Sequence, residues 1–85
     1  MTTGVQFTGT LAANATNKWF TFNWNPASHI VWYMMPTTPE TTGAELSWTV
    51  AVERASATAV TYWLTVTNLT GASIDFEGRY AILNS

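Results

Sequence analysis

The sequence predicts an all-β fold, a small antiparallel β-sandwich of about six strands with Greek-key or jelly-roll-like connections. Apolar and polar residues alternate with a period of two in most segments, which is typical of half-buried strands. Turn signals recur about every 8–12 residues, as in sandwiches and small barrels. The length of 85 residues predicts a single domain over residues 1–85.

The first two strands are predicted over residues 4–11 and 18–24, because apolar residues occupy every second position. The apolar side of the first strand carries Val5, Phe7 and Leu11. Gly9 interrupts this side and predicts a bulge there. The inward side of the second strand is predicted to carry Phe20, Phe22 and Trp24. Its outward side is predicted to carry Trp19, Thr21 and Asn23.

The third strand, residues 29–35 (HIVWYMM), is apolar on both sides. A strand of this kind is covered on both faces. The second cover could be the loop that follows or a second copy of the chain, and we favour the second copy, which predicts a homo-oligomer. The following residues 36–44 contain two prolines and no apolar period, so we expect a loop that crosses between sheets.

The last three strands are predicted over residues 45–53, 58–68 and 73–84, joined by short turns into a meander. The middle one alternates most regularly. Its apolar side carries Val60, Tyr62, Leu64 and Val66, and its outward side carries Thr61, Trp63, Thr65 and Thr67. A helix over residues 51–59 is the rival interpretation, but the period of two on both sides of this segment outweighs it. Gly78 predicts a bulge in the last strand.

Composition excludes several classes of function. Three Lys and Arg against five Asp and Glu give a net charge of −2, without the cationic cluster that nucleic acid or an anionic membrane surface requires. The chain has no cysteine, so it forms neither disulfides nor thiolate metal sites. No apolar run predicts a transmembrane segment, and no signal peptide is visible. We therefore expect a soluble protein that stays in the cytoplasm or is secreted by a non-classical route.

The ionisable residues predict no catalysis, no cofactor and no metal. His29 is the only histidine, and only Ser28 adjoins it, whereas a catalytic imidazole needs a nucleophile and an orienting group. Asp75 and Glu77 lie on one side of the last strand, where they could form an acid–base pair or bind a cation. A solvated edge that discourages aggregation is the more common role of such a pair. We therefore predict that the protein is not an enzyme.

The predicted outward positions suggest a binding face. They combine hydroxyls, amides and indoles almost without charge, and only 9% of the chain is charged, whereas surfaces usually carry about 25–35%. A neutral sugar fits this chemistry, because its C–H side stacks on an aromatic ring and its hydroxyls pair with neutral polar groups. The predicted partners are therefore neutral glycans. The predicted ligand-binding residues are Trp19, Thr21, Asn23, Trp63 and Thr65.

Three alternatives to this lectin-like, carbohydrate-binding function remain open at this stage. Thr and Trp are good strand formers, so a threonine-rich β surface also arises without a ligand. The exposed aromatics could instead form a homo-oligomer interface in a structural or assembly module. A membrane-active β protein is also compatible with threonine-rich amphipathic strands.

Overall fold

Six β-strands and their connections make up the whole of residues 1–85 in the computed structural model. The strands are β1 Thr2–Leu11, β2 Thr16–Trp24, β3 Ile30–Pro36, β4 Leu46–Glu53, β5 Val60–Asn68 and β6 Ile74–Ile82. Their ends differ from the predicted ones by at most two residues. The rival helix over residues 51–59 is wrong, because residues 51–53 end β4 and the remainder forms the turn to β5.

The strands form two antiparallel three-stranded sheets, which confirms the all-β sandwich. Sheet A has the order β1-β6-β3, and sheet B has the order β2-β5-β4. The chain changes sheet at every connection except the β4–β5 turn, so the crossing predicted at residues 36–44 is confirmed. The predicted meander of the last three strands is wrong, because β6 leaves sheet B and pairs with β1 and β3.

The core lies between the two central strands, β5 and β6. The predicted inward side of β5 is confirmed, and Leu64 and Val66 have no accessible surface. Ile74 and Phe76 of β6 are equally sealed, and Leu11, Trp32 and Met34 close the core from the flanking strands. Burying one such side chain contributes about 1.5–3 kcal/mol. A chain of this size buries a limited fraction of its surface, so these few residues carry most of its stability.

Two glycines of sheet A make room for aromatic rings in this thin core. A Cβ atom on Gly78 would collide with the ring of Phe7, and one on Gly9 would lie 2.9 Å from the rings of Phe76 and Trp19. Gly9 keeps a regular register, and at Gly78 the extra residue belongs to β1 and not to β6, so the bulges predicted at the two glycines are wrong. The irregularity lies instead between Val5 and Phe7 of β1, and it turns Val5 to the outer face.

Aromatic rings pack at both ends of the core. At one end Phe76 meets Trp19 edge-on, with the ring centroids 5.1 Å apart. At the other end Trp24 meets Trp32 and Tyr80 edge-on, at centroid distances of 5.4 and 5.2 Å. Such pairs add about 0.5–1.5 kcal/mol each beyond the burial of their area. Aromatic packing therefore supplements the small aliphatic core.

The buried side chain of Asn68 fixes the crossing from β5 to β6. Its amide nitrogen lies 3.1, 3.1 and 2.7 Å from the carbonyl oxygens of Leu11, Ala12 and Ala72, so its two N–H groups serve three acceptors and one N–H is shared between two of them. Its own carbonyl oxygen accepts from the backbone N–H and the hydroxyl of Thr70, both at 2.9 Å. One residue thus ties the end of β1 to the connection that carries the chain into sheet A.

We predict that Asn68→Ala lowers the free energy of unfolding by about 3 kcal/mol, because it leaves several buried backbone groups without a partner. Asn68→Asp should be similarly destabilising, since a carboxylate cannot donate to three carbonyls. Urea denaturation measures both variants. Asn17→Ala, at an exposed asparagine, is the control and should change the free energy by less than about 0.5 kcal/mol. Equal effects at the two sites would contradict this role of Asn68.

The burial of Tyr62 predicts a loss of stability in alkali. Desolvation raises the pKa of its phenol above the ordinary value of 10.0. The folded state therefore favours the neutral phenol. The stability that the neutral Tyr62 contributes to the fold is fully present below pH 10 and is lost as the pH rises through the higher folded-state pKa. We expect Tm to fall above pH 10, and to fall less in Tyr62→Phe than in the unmodified protein. Tyr33→Phe, at an exposed tyrosine, should retain the full alkaline fall.

Candidate functional site

The five predicted ligand-binding residues do not share one face. Trp63 and Thr65 lie on the outer face of β5, as predicted. Trp19 and Thr21 point into the sandwich, which corrects their assignment to the binding face. The Trp19 ring lies in the core, as described above. Thr21 is buried, and its hydroxyl accepts a hydrogen bond of 2.9 Å from the indole N–H of Trp24.

A bulge in β2 explains this error. The register with β5 shifts between Thr21 and Trp24, so these two residues both face inward although they are three positions apart. Asn23 lies in the bulge with a φ of 65° and is exposed beyond the regular sheet face. Strict alternation from Trp24 back along the strand therefore assigned the wrong face to every earlier residue. Asn23 is the only signal of the bulge, because asparagine tolerates the left-handed conformation.

The same bulge places two phenylalanines on the outer face of sheet B, where sequence reasoning missed them. Phe20 and Phe22 are 58% and 62% exposed. The Phe20 ring lies 5.2 Å from the Trp63 ring and 6.2 Å from the Phe22 ring, with interplanar angles of 33° and 31°. We call these three neighbouring rings the aromatic platform. The Phe20 ring lies between the other two and is tilted by about 30° to each of them.

A carboxylate from β4 orients the platform. The indole N–H of Trp63 donates a hydrogen bond of 2.9 Å to Oε1 of Glu53. This bond satisfies the only polar atom of the indole and restricts rotation of the ring. Trp63 therefore presents its ring in a defined orientation.

Hydroxyl groups continue the outer face beyond the platform. Thr65 lies between Lys18 and Thr49 in the cross-strand register. Farther along β5, the hydroxyls of Thr67 and Thr16 form a hydrogen bond of 2.8 Å. This part of the surface offers donors and acceptors with a single positive charge.

A polar depression of about 630 Å³ lies at the end of sheet B. It is lined by Asn23, Asn25, Pro26, Ala27, Arg54, Ala57 and Thr58. Asn23 directly follows Phe22, and Arg54 directly follows Glu53, so the depression adjoins the platform. The Arg54 side chain donates to the carbonyl oxygens of Ser56 and Ala57, at 3.1 and 3.0 Å, and is thereby held by its own turn. We call this feature the end depression.

The acidic residues of sheet A have structural partners. Glu77 forms an ion pair with Arg79 at 2.8 Å, and Asp75 accepts a hydrogen bond of 2.6 Å from the Thr10 hydroxyl. His29 is exposed, and its backbone N–H binds the side-chain oxygen of Asn84. No group of three or more His, Cys, Asp or Glu residues is placed to hold a metal ion. The absence of catalysis stays a prediction from the sequence.

No helix that is long and apolar enough to cross a membrane occurs in the chain. Comparison with protein-family models, curated proteins and solved structures found no match to this chain.

The assignment of the two faces of β2 makes a direct prediction about stability. Trp19→Ala should lower the free energy of unfolding by about 3 kcal/mol or more, because it removes a large ring from the core. Phe22→Ala should change it by only about 0.5 kcal/mol, because that ring lies mainly in solvent. Urea denaturation compares the two variants. A larger loss in Phe22→Ala than in Trp19→Ala would show that the faces are reversed.

Proposed function

We propose that this protein is a non-enzymatic, lectin-like carbohydrate-binding protein, with the aromatic platform as its contact surface. One observation carries the proposal: three neighbouring aromatic rings lie on the outer face of sheet B, among hydroxyl side chains. The apolar C–H side of a pyranose stacks on such rings, and its hydroxyls pair with neutral polar groups around them. The predicted pair Trp63 and Thr65 belongs to this surface, and Phe20 and Phe22 replace Trp19 and Thr21.

The exposure of the two phenylalanines supports a contact role. The phenylalanine side chain has no polar atom and forms no hydrogen bond with water. Burying its exposed apolar area against a ligand therefore stabilises the complex by about 25 cal/mol per Å². Contiguous exposed apolar patches of this kind mark interaction sites in soluble proteins. The hydrogen bond from Trp63 to Glu53 also reduces the ordering that binding would otherwise require.

The end depression extends the proposed site. A saccharide stacked on Phe22 would reach Asn23 and Arg54, which line the depression beside it. Their amide and guanidinium groups suit sugar hydroxyls. On the opposite side of the platform, Thr65 and Lys18 offer a second set of polar groups. The proposed ligand is therefore an extended neutral glycan that lies along the platform.

Binding through shallow stacking is weak at one site. Several copies that display their platforms together raise the overall avidity without any new contact. A homo-oligomer is therefore part of the proposal.

A structural or assembly module is the second candidate, and the outer side of β3 favours it. Val31, Tyr33 and Met35 are exposed there, and the sandwich covers only the inner side of this strand. The double cover predicted for β3 is thus not provided within one chain. In an assembly module the aromatic platform would be buried against another subunit.

Binding on a glycan array under native conditions, followed by titration of tryptophan fluorescence, tests the proposal. We expect Phe22→Ala and Trp63→Ala each to weaken the binding of a positive glycan about tenfold or more, equivalent to about 1.4 kcal/mol. Tyr33→Ala removes an exposed ring from sheet A and is the matched control, which should bind normally.

Two outcomes would count against carbohydrate binding. One is an array without any bound glycan. The other is a change in native mass when Phe22 or Trp63 is replaced, since that result assigns the platform to a subunit interface.

A further inference from the structure

Strand β4 is an open edge of sheet B. It pairs with β5 on one side only, in a regular register from Leu46 opposite Asn68 to Glu53 opposite Thr61. The backbone N–H and C=O groups directed away from β5 therefore have no partner strand. An edge of this kind is a template for pairing with another strand.

The β4 edge lacks the features that normally prevent such pairing. Natural edges carry lysine, proline, bulges or short strands. β4 has eight residues, none of which is lysine, proline or glycine, and its register has no shift. The edges β1 and β2, which pack together on the opposite side of the sandwich, each contain a bulge, and β2 also carries Lys18.

The inner side of β4 also remains uncovered. Trp48, Val50 and Val52 point to the same side as the core residues opposite them in β5, but they are 37%, 41% and 66% exposed. Strand β3 of sheet A lies beside β4 but leaves these three side chains largely exposed to solvent. We call these three residues the β4 row.

We propose that β4 pairs antiparallel with β4 of a second copy about a two-fold axis, with Val50 opposite Val50. The two copies of sheet B then form one continuous six-stranded sheet. Trp48 of each copy lies opposite Val52 of the other, so the whole β4 row meets apolar side chains. The outer face pairs Thr49 with Ala51 and Ser47 with Glu53.

Several registers would keep the two β4 rows on one face of the joined sheet. Repulsion between like charges and the length over which the two strands overlap favour the register centred on Val50. With Thr49 opposite itself, Glu45 would lie opposite Glu53, and like charges directly opposite are destabilising. With Ala51 or Trp48 opposite itself, the two strands would overlap over only about five residues, and Trp48 or Val52 respectively would lie outside the paired region. The register centred on Val50 avoids both problems.

A second copy of this chain fits the edge and inner side of β4 better than it fits the outer side of β3. The outer side of β3 borders charge, since the Arg79 guanidinium lies 5.9 Å from the Tyr33 ring and pairs with Glu77. No charged residue lies within β4 before its last position, Glu53. Pairing of β4 with itself satisfies edge backbone groups and covers the β4 row at the same time.

The dimer would also place two aromatic platforms on one continuous face. Trp63 neighbours Ala51 of β4, so three strand spacings separate the two β5 strands, a distance of about 14 Å. This arrangement would give the avidity discussed above, but the pairing itself does not depend on carbohydrate binding.

Native mass measurement tests the pairing. We expect a species of twice the monomer mass of 9.4 kDa, with a concentration-dependent dissociation.

Val50→Lys should give a folded monomer, because it places two cations opposite each other in the interface. Val5→Lys is the matched control, since it replaces a valine of similar exposure (49% against 41%) on the outer face of sheet A, and it should remain dimeric. Circular dichroism checks the fold of both variants. A monomeric unmodified protein at all concentrations, or a dimeric Val50→Lys variant, would overturn the proposal.

Because the chain has no cysteine, single substitutions test the register. Oxidation of Val50→Cys should link the two copies, since residues opposite each other in a strand pair have Cβ atoms about 4.5–5.5 Å apart, close to the range that a disulfide spans. Val52→Cys should remain unlinked, because it faces Trp48. Linking of Thr49→Cys in place of Val50→Cys would overturn this register.

The dimer and the binding site can fail separately. Val50→Lys should retain the fluorescence response to a monovalent sugar, because the platform lies on the opposite face of the sheet. Loss of the dimer with retained sugar binding supports both proposals. A dimer without any sugar binding supports only the pairing of β4.

Discussion

The contact between the two central strands is the constraint on which this structure depends. β5 and β6 supply the side chains that are fully sealed, and the flanking strands close the core around them. With so few aliphatic residues inside, aromatic rings fill the remaining space at both ends. The rings fit only because Gly9 and Gly78 leave room beside them. The stability of the fold therefore depends on a few large rings that fill the space beside these two glycines, because close-packed protein interiors tolerate little change in volume.

The bulge in β2 connects this core to the proposed site. It lets Thr21 and Trp24 both face inward, where the indole and the hydroxyl satisfy each other. The same distortion turns Phe20 and Phe22 outward to join Trp63. Side chains that a regular strand would place in the core are thereby available for contact. Bulges commonly redirect side chains in this way near functional surfaces.

Three apolar regions remain uncovered, and their surroundings differ. The aromatic platform lies among hydroxyls and beside a polar depression, which suits a sugar. The β4 row adjoins an unpaired strand edge, which suits a second copy of the chain. The outer side of β3 borders the ion pair of Glu77 and Arg79. Since only 9% of the residues are charged, the few charges distinguish these surfaces.

The sequence by itself determined the six strands, the inward side of β5 and the outward position of Trp63, because alternation is a local property that survives wherever a strand stays regular. It did not determine the sheet to which each strand belongs, since the path from β5 into sheet A depends on the contacts of Asn68 with distant backbone groups. The face of β2 was also decided by tertiary structure. Trp19, Phe20 and Phe22 are all apolar, so alternation allowed either face, and the bulge at Asn23 selected one through its pairing with β5. The exposure of the β4 row likewise follows from how the two sheets pack against each other, which no local pattern records.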